Sequence, residues 1–132
     1  MASELAQSER IYRAFRLLDV GLTVAAADTP FPDMSVNRFS INPDLRSVLM
    51  GSYAKAGVFS CQVSDVPTGY TAGGKHYTFH VVEDPKPRNA AHAEVRTYTD
   101  GVYDKAVEPP KSVRRSFRID LASVLKVEIA PP

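Results

Sequence analysis

The sequence predicts a single α+β domain over residues 1–132, a mainly antiparallel sheet packed by an N-terminal and a C-terminal helix. Three observations carry this reading. Segments 58–64, 75–82 and 92–98 alternate apolar and polar residues with the period of two that marks half-buried strands. Residues 111–125 follow Pro109-Pro110 and carry Val113, Phe117, Leu121 and Leu125 four apart, a helix with one apolar stripe. Residues 3–18 are rich in helix formers, with Ser3 as an N-cap and Ile11, Phe15 and Leu18 on one helical face. A short strand over 11–15 is the competing reading there, since Ile, Tyr and Phe favour pleated surfaces.

Gly21 closes the first helix, and 22–27 reads as a short strand or buried connector before the Thr29-Pro30-Phe31-Pro32-Asp33 break. Residues 34–39 form a short strand with Met34 and Val36 on one side, where Arg38 also falls by alternation. Asn42 then caps a helix that has Pro43 at its first position, Leu45, Val48 and Leu49 on one face, and Gly51 as its stop. In the alternating segments Phe59, Cys61 and Val63, then Tyr77, Phe79 and Val81, then Ala93, Val95 and Thr97 point inward. Residues 67–74 and 83–91 are loops, Asp100-Gly101 is a turn, and Val127 and Ile129 belong to a final strand with Lys126 and Glu128 facing away.

The chain has 132 residues, 44% of them hydrophobic, and a formal charge of +1. Folding at this length removes roughly two-thirds of the extended surface from water, enough for one core without metal or disulfide. The charge balance excludes both a strongly basic nucleic-acid binder and an acidic disordered chain. The single cysteine, Cys61, has no intramolecular partner and favours a reducing, cytoplasmic setting. The N-terminus lacks the basic and apolar regions of a secretory signal, and the longest apolar stretch, 20–27, is far short of the roughly 20 residues that span a bilayer. A soluble protein without a membrane partner is expected.

The three histidines, His76, His80 and His92, fall within one short region. A zinc site is disfavoured, because on a strand His76 and His80 lie roughly 13 Å apart at Cα and thiolate zinc needs a second cysteine. No metal and no cofactor are expected. If the strands 75–82 and 92–98 pair, however, their polar faces coincide and gather His76, Thr78, His80, His92, Glu94 and Arg96. A glutamate beside an imidazole suits acid–base chemistry, and an arginine grips phosphate or carboxylate. His92, Glu94 and Ser35 are thus the catalytic candidates, with Asn37, Arg38, His76, His80 and Arg96 as binding candidates; the plain alternative is the wet side of a one-sided sheet. Cys61 faces inward, where a thiol is inert packing, and Ser35 lacks a Gly-x-Ser-x-Gly setting. The glycines of 69–74 lack a P-loop lysine. Between residues 105 and 118 five basic side chains, including the binding candidates Arg114 and Arg118, oppose Glu108 alone, a local +4 that suits an acidic protein partner, the phosphates of nucleic acid or plain solvation. Arg10, Arg13 and Arg16 form a second basic stripe.

The segments Asp33-Met34-Ser35-Val36-Asn37-Arg38 and Asn89-Ala90-Ala91-His92-Ala93-Glu94-Val95-Arg96 resemble a pattern in small bacterial proteins that pair a Ser-Val-Asn-Arg segment with an Asn-Pro-Ala-His-Ala type segment; here Ala90 stands at the usual proline. That resemblance implies a bacterial or phage origin and names no activity. A second resemblance, to ADP-ribosyltransferase domains, rests on Arg13, Ser35 and Glu94 in that order. It implies nicotinamide-nucleotide binding by Arg13, site organisation by Ser35 and ribose orientation by Glu94.

The leading expectation is therefore a binding module that works through a protein interface, such as an accessory to a defence or toxin system. Its rival is a small nucleotide-directed enzyme using the His92, Glu94 and Arg96 face, with Ser35, Asn37 and Arg38 lining the same cleft. Both turn on whether Arg38 and His92 converge; oligomeric state is left open.

Overall fold

The computed structural model describes residues 3–15, 30–54 and 56–130. Seven strands, β1 (Arg10–Phe15), β2 (Asp33–Arg38), β3 (Gly57–Gln62), β4 (Gly69–Ala72), β5 (Lys75–Glu83), β6 (His92–Thr99) and β7 (Lys126–Ile129), form one sheet in the order β4-β5-β6-β2-β1-β3-β7. All neighbouring pairs are antiparallel. The sheet curls into a half-barrel, and the one α-helix among the described residues, α1 (Lys111–Ala122), packs on its inner face.

This corrects the expected fold class, because the N-terminal helix is not there. Within 3–18, the described residues run as an extended segment, a turn at 7–8 and then β1 in the interior of the sheet, between β2 and β3; 16–18 and the expected strand at 22–27 lie outside the described residues. Residues four apart share a face on a strand as well as on a helix, so the Ile11 and Phe15 spacing fits both. The sheet wins because β1 is buried on both sides. Ile11 and Phe15 meet the core while Tyr12 and Ala14 are covered on the outer face. Gly57 is required where β3 meets β1: a Cβ there would sit 2.6 Å from the Phe15 ring and 2.7 Å from the Ile129 carbonyl oxygen.

Two elements were hidden in segments expected to be loop or helix. Residues 69–72 are β4, joined to β5 by Gly73 and Gly74, both with positive φ, so Ala72 and Lys75 close a two-residue hairpin. The expected helix after Asn42 is instead two 3-10 turns, Leu45–Val48 and Gly51–Tyr53. Asp44 caps the first by accepting the Arg46 N–H, while Asn42 braces the Asp44 N–H.

The core lies between the concave sheet face and α1. Phe117 stacks on Phe79 with centroids 4.2 Å apart, Phe31 meets Phe117 edge-on, and Val113, Leu121 and Leu125 complete the stripe. The helix stops at Ala122, where Ser123 turns its hydroxyl back to the Asp120 carbonyl at 2.6 Å. On the convex face the 3-10 segment covers β1 and β3, held by the Tyr12 hydroxyl donating to the Asn42 carbonyl at 2.8 Å. The first residues extend the sheet edge beside β4: Leu5 N–H bonds Val81 O, and Glu83 N–H bonds Ser3 O.

Candidate functional site

Register decides which candidates meet. His80 pairs with Arg96 across β5 and β6, while Asp33, Ser35 and Asn37 on β2 pair with Arg96, Glu94 and His92 on β6. Even-numbered positions of β5 and β6 and odd-numbered positions of β2 therefore share the convex face. Arg38 is one residue beyond Asn37 and points to the other face. There it pairs with Glu9 at 2.8 Å, so Arg38 and His92 do not converge, and Arg38 leaves the expected cleft. Burial pushes the Glu9 carboxyl up, but hydrogen bonds from Ser40 and Arg38 outweigh it and hold the group below its ordinary range.

The histidines share a face without sharing a partner. His76 Nδ1 contacts Thr71 Oγ1 at 3.1 Å, His80 pairs with Glu4 and meets the Tyr98 ring edge-on, and His92 turns to Asp84. Among the described residues no three His, Cys, Asp or Glu side chains gather as a metal-ligand set.

Around His92 the geometry is defined. Its Nδ1 lies 2.9 Å from the Asp84 carbonyl oxygen and 3.1 Å from Asp84 Oδ2. Both are acceptors, so Nδ1 carries the proton and a neutral ring keeps its lone pair on Nε2. Lys86 reaches Asp84 Oδ2 at 3.0 Å, and this hydrogen bond, helped by His92 and Arg96, holds the Asp84 carboxyl below its usual range. Glu94 and Arg96 satisfy each other, with Nε and Nη2 donating to Oε1 at 3.0 and 2.8 Å. The Arg96 guanidinium also lies over the Tyr103 ring, and Tyr103 donates to Asp33 at 3.0 Å. Burial and that bond to Asp33 push the Tyr103 hydroxyl up to about 12.

Beside this network a groove opens between the 3-10 segment and the 84–91 turn. Its outer part, about 420 Å³, is lined by Asn37, Asn42, Ser47, Met50, Arg88 and Asn89. An adjoining depression of about 150 Å³ reaches Tyr12, Ser35, Tyr53 and His92, and the two share Asn37, Val48 and Asn89. Asn89 Nδ2 donates to Asn37 Oδ1 at 2.7 Å, so the two quoted sequence segments meet here. Asp84, Asn89, Asn42, Ser47 and Tyr103 were missed as site residues. The signal for the first two was the proline-bracketed turn Asp84-Pro85-Lys86-Pro87, which fixes where the chain re-enters β6.

The remaining candidates sit elsewhere. Arg13 donates to the Ser35 carbonyl at 2.8 Å, and Ser35 lies opposite Glu94 in register, but the Glu94 carboxylate is taken by Arg96. On α1, Arg114 pairs with Glu108 at 2.8 Å and Arg118 lies over the Phe31 ring, which leaves Lys111 and Arg115 exposed and breaks the +4 segment into separate contacts. Cys61 is buried, and burial with the nearby Asp65 charge pushes its thiol up to about 12, so it is packing and not a nucleophile. No described helix is long and apolar enough to cross a membrane. Comparison with protein-family models, with curated proteins and with solved structures finds no match to this chain.

Proposed function

We propose that this domain is a protein-binding module whose contact surface is the convex groove between the 3-10 segment and the 84–91 turn, and that it takes an extended acidic segment carrying one apolar anchor. The observation that carries the reading is the composition of that groove. Amides and hydroxyls of Asn37, Asn42, Ser47 and Asn89 line it together with Arg88, Met50 stands at its rim 68% exposed, and Arg46 is exposed on the 3-10 turn that forms one wall, neither arginine having an acidic partner among the described residues. Exposed Met and Arg beside hydrogen-bonding groups are the makings of a protein contact, and unpaired cations favour an acidic partner. Glu94 and Arg96, by contrast, are spent on each other, which favours binding over the nucleotide-directed chemistry expected of their face. The buried thiol of Cys61 suits a cytoplasmic protein.

Selection from a display library of extended peptides tests the proposal. Enriched peptides are expected to be acidic with an apolar residue, to shift the Asn37 and Asn89 side-chain amide resonances, and to lose at least about tenfold in affinity with Met50→Ala or Arg88→Glu, roughly 1.4 kcal/mol. No enrichment, or binding indifferent to both substitutions, refutes it.

A further inference from the structure

The depression adjoining the groove holds a serine and a histidine that peptide binding does not use. Ser35 and His92 both line it, and in the β2–β6 register they are diagonal neighbours, since Ser35 faces Glu94 and Asn37 faces His92. Such residues begin roughly 7–8 Å apart at Cα, within reach of a long side chain such as imidazole. Ser35 is exposed, so its hydroxyl is open to a ligand. Asp84 fixes the His92 tautomer by accepting from Nδ1, which leaves Nε2 as the basic atom. Asn37 gives its Oδ1 to Asn89, so its Nδ2 is a spare donor lining the same depression.

We propose that Ser35, His92 and Asp84 form an acyl-transfer centre that hydrolyses small carboxylic esters. Ser35 Oγ attacks the ester carbonyl while its proton passes to His92 Nε2, and Asn37 Nδ2 donates to the oxyanion that forms. The bond to the alkoxide then breaks, and His92 returns the proton to the departing alcohol, leaving an acyl-Ser35 ester. Water adds to that ester, its proton passing to His92; the Oγ–acyl bond breaks, the proton returns to Ser35, and the free acid leaves. Asp84 is a positioning residue that holds the imidazole. The proposal shares Asn37 with the peptide reading, and Ser35→Ala, expected to abolish hydrolysis while keeping peptide affinity, tells the two apart.

Treating the full chain with a fluorophosphonate and mapping the adduct by mass spectrometry tests the nucleophile; p-nitrophenyl acetate tests turnover. One adduct is expected, on Ser35. His92→Ala is expected to slow both labelling and hydrolysis by about 100-fold or more. Asp84→Asn is expected to lower kcat with KM unchanged, apart from the fall in melting temperature that losing its ion pairs with Lys86 and His92 brings. Absence of an adduct on Ser35, or labelling at the same rate in folded His92→Ala, overturns the proposal. A loss in Asp84→Asn that appears in KM in place of kcat overturns the role given to Asp84.

Discussion

Thr97 is a residue whose side chain disagrees with its surroundings. It pairs with Phe79 across β5 and β6, is 3% exposed, and its hydroxyl has no hydrogen-bond partner among the described residues. Burying an unbonded hydroxyl costs about 1–3 kcal/mol in protein mutational data, and valine has the same shape. Thr97→Val is therefore expected to raise unfolding stability by about 1 kcal/mol in urea titration; a loss would show that the hydroxyl is bonded. Gly57 runs the other way. Its place against Phe15 and the Ile129 carbonyl leaves no room for a methyl group, and Gly57→Ala is expected to cost about 2–3 kcal/mol by the same titration. The inward set Ala93, Val95 and Thr97 was readable from alternation, because β6 has one covered face. The constraint at Gly57 was not, since it comes from two residues, one 42 positions before it and one 72 after.

Elements were legible where one face is wet. α1, β5 and β6 follow their patterns because each presents a polar side to water, whereas β1 and β3 are covered on both sides, so β1 shows no period and the alternation of 58–64 does not mark a wet face. The 3-10 segment misled for a different reason: cap and glycine signals fix where a turn begins and ends without fixing its winding. Helix α1 gives a test of its stripe. Phe117 is 1% exposed and stacked on Phe79, while Ile119, two residues on, is 60% exposed. Phe117→Ala is expected to cost about 3–5 kcal/mol and Ile119→Ala less than about 0.5, measured as paired thermal melts. Equal losses would mean that the helix is rotated from this placement. The candidate site was half legible. The alternation put His92, Glu94 and Arg96 together and set Arg38 with Met34 and Val36 on the side of β2 away from Asn37, but nothing in one strand announces that a loop carboxylate reaches His92.

For the whole molecule, the shifted groups bound the pH range of stability from both sides. Glu9, Asp84 and Glu128 are held below their ordinary values; for Glu128 the chief cause is the Ser60 hydrogen bond, seconded by Arg10. Groups lowered by folding stabilise fully above their unfolded values, near 4, and lose that contribution as pH falls through the folded ones. Cys61 and Tyr103, raised to about 12 mainly by burial, stabilise below their unfolded values and lose that contribution as pH rises through 9 to 10 and beyond. A melting temperature level between about pH 5 and 8.5, falling on both sides, is the expected profile. A curve still level at pH 3 would remove the carboxylate pairs from the account.

The strand order also sets a timetable. β4, β5 and β6 follow one another in sequence and in space, whereas β2 must find β6 across 53 intervening residues and β3 must wait for β7 near the chain end. Closing such loops precedes the contacts that reward it, so refolding is governed by the distant pairings and runs on the millisecond-to-second scale of all-β topologies. The meander is the natural first scaffold, and the face that carries His92 takes shape only when β2 docks on it.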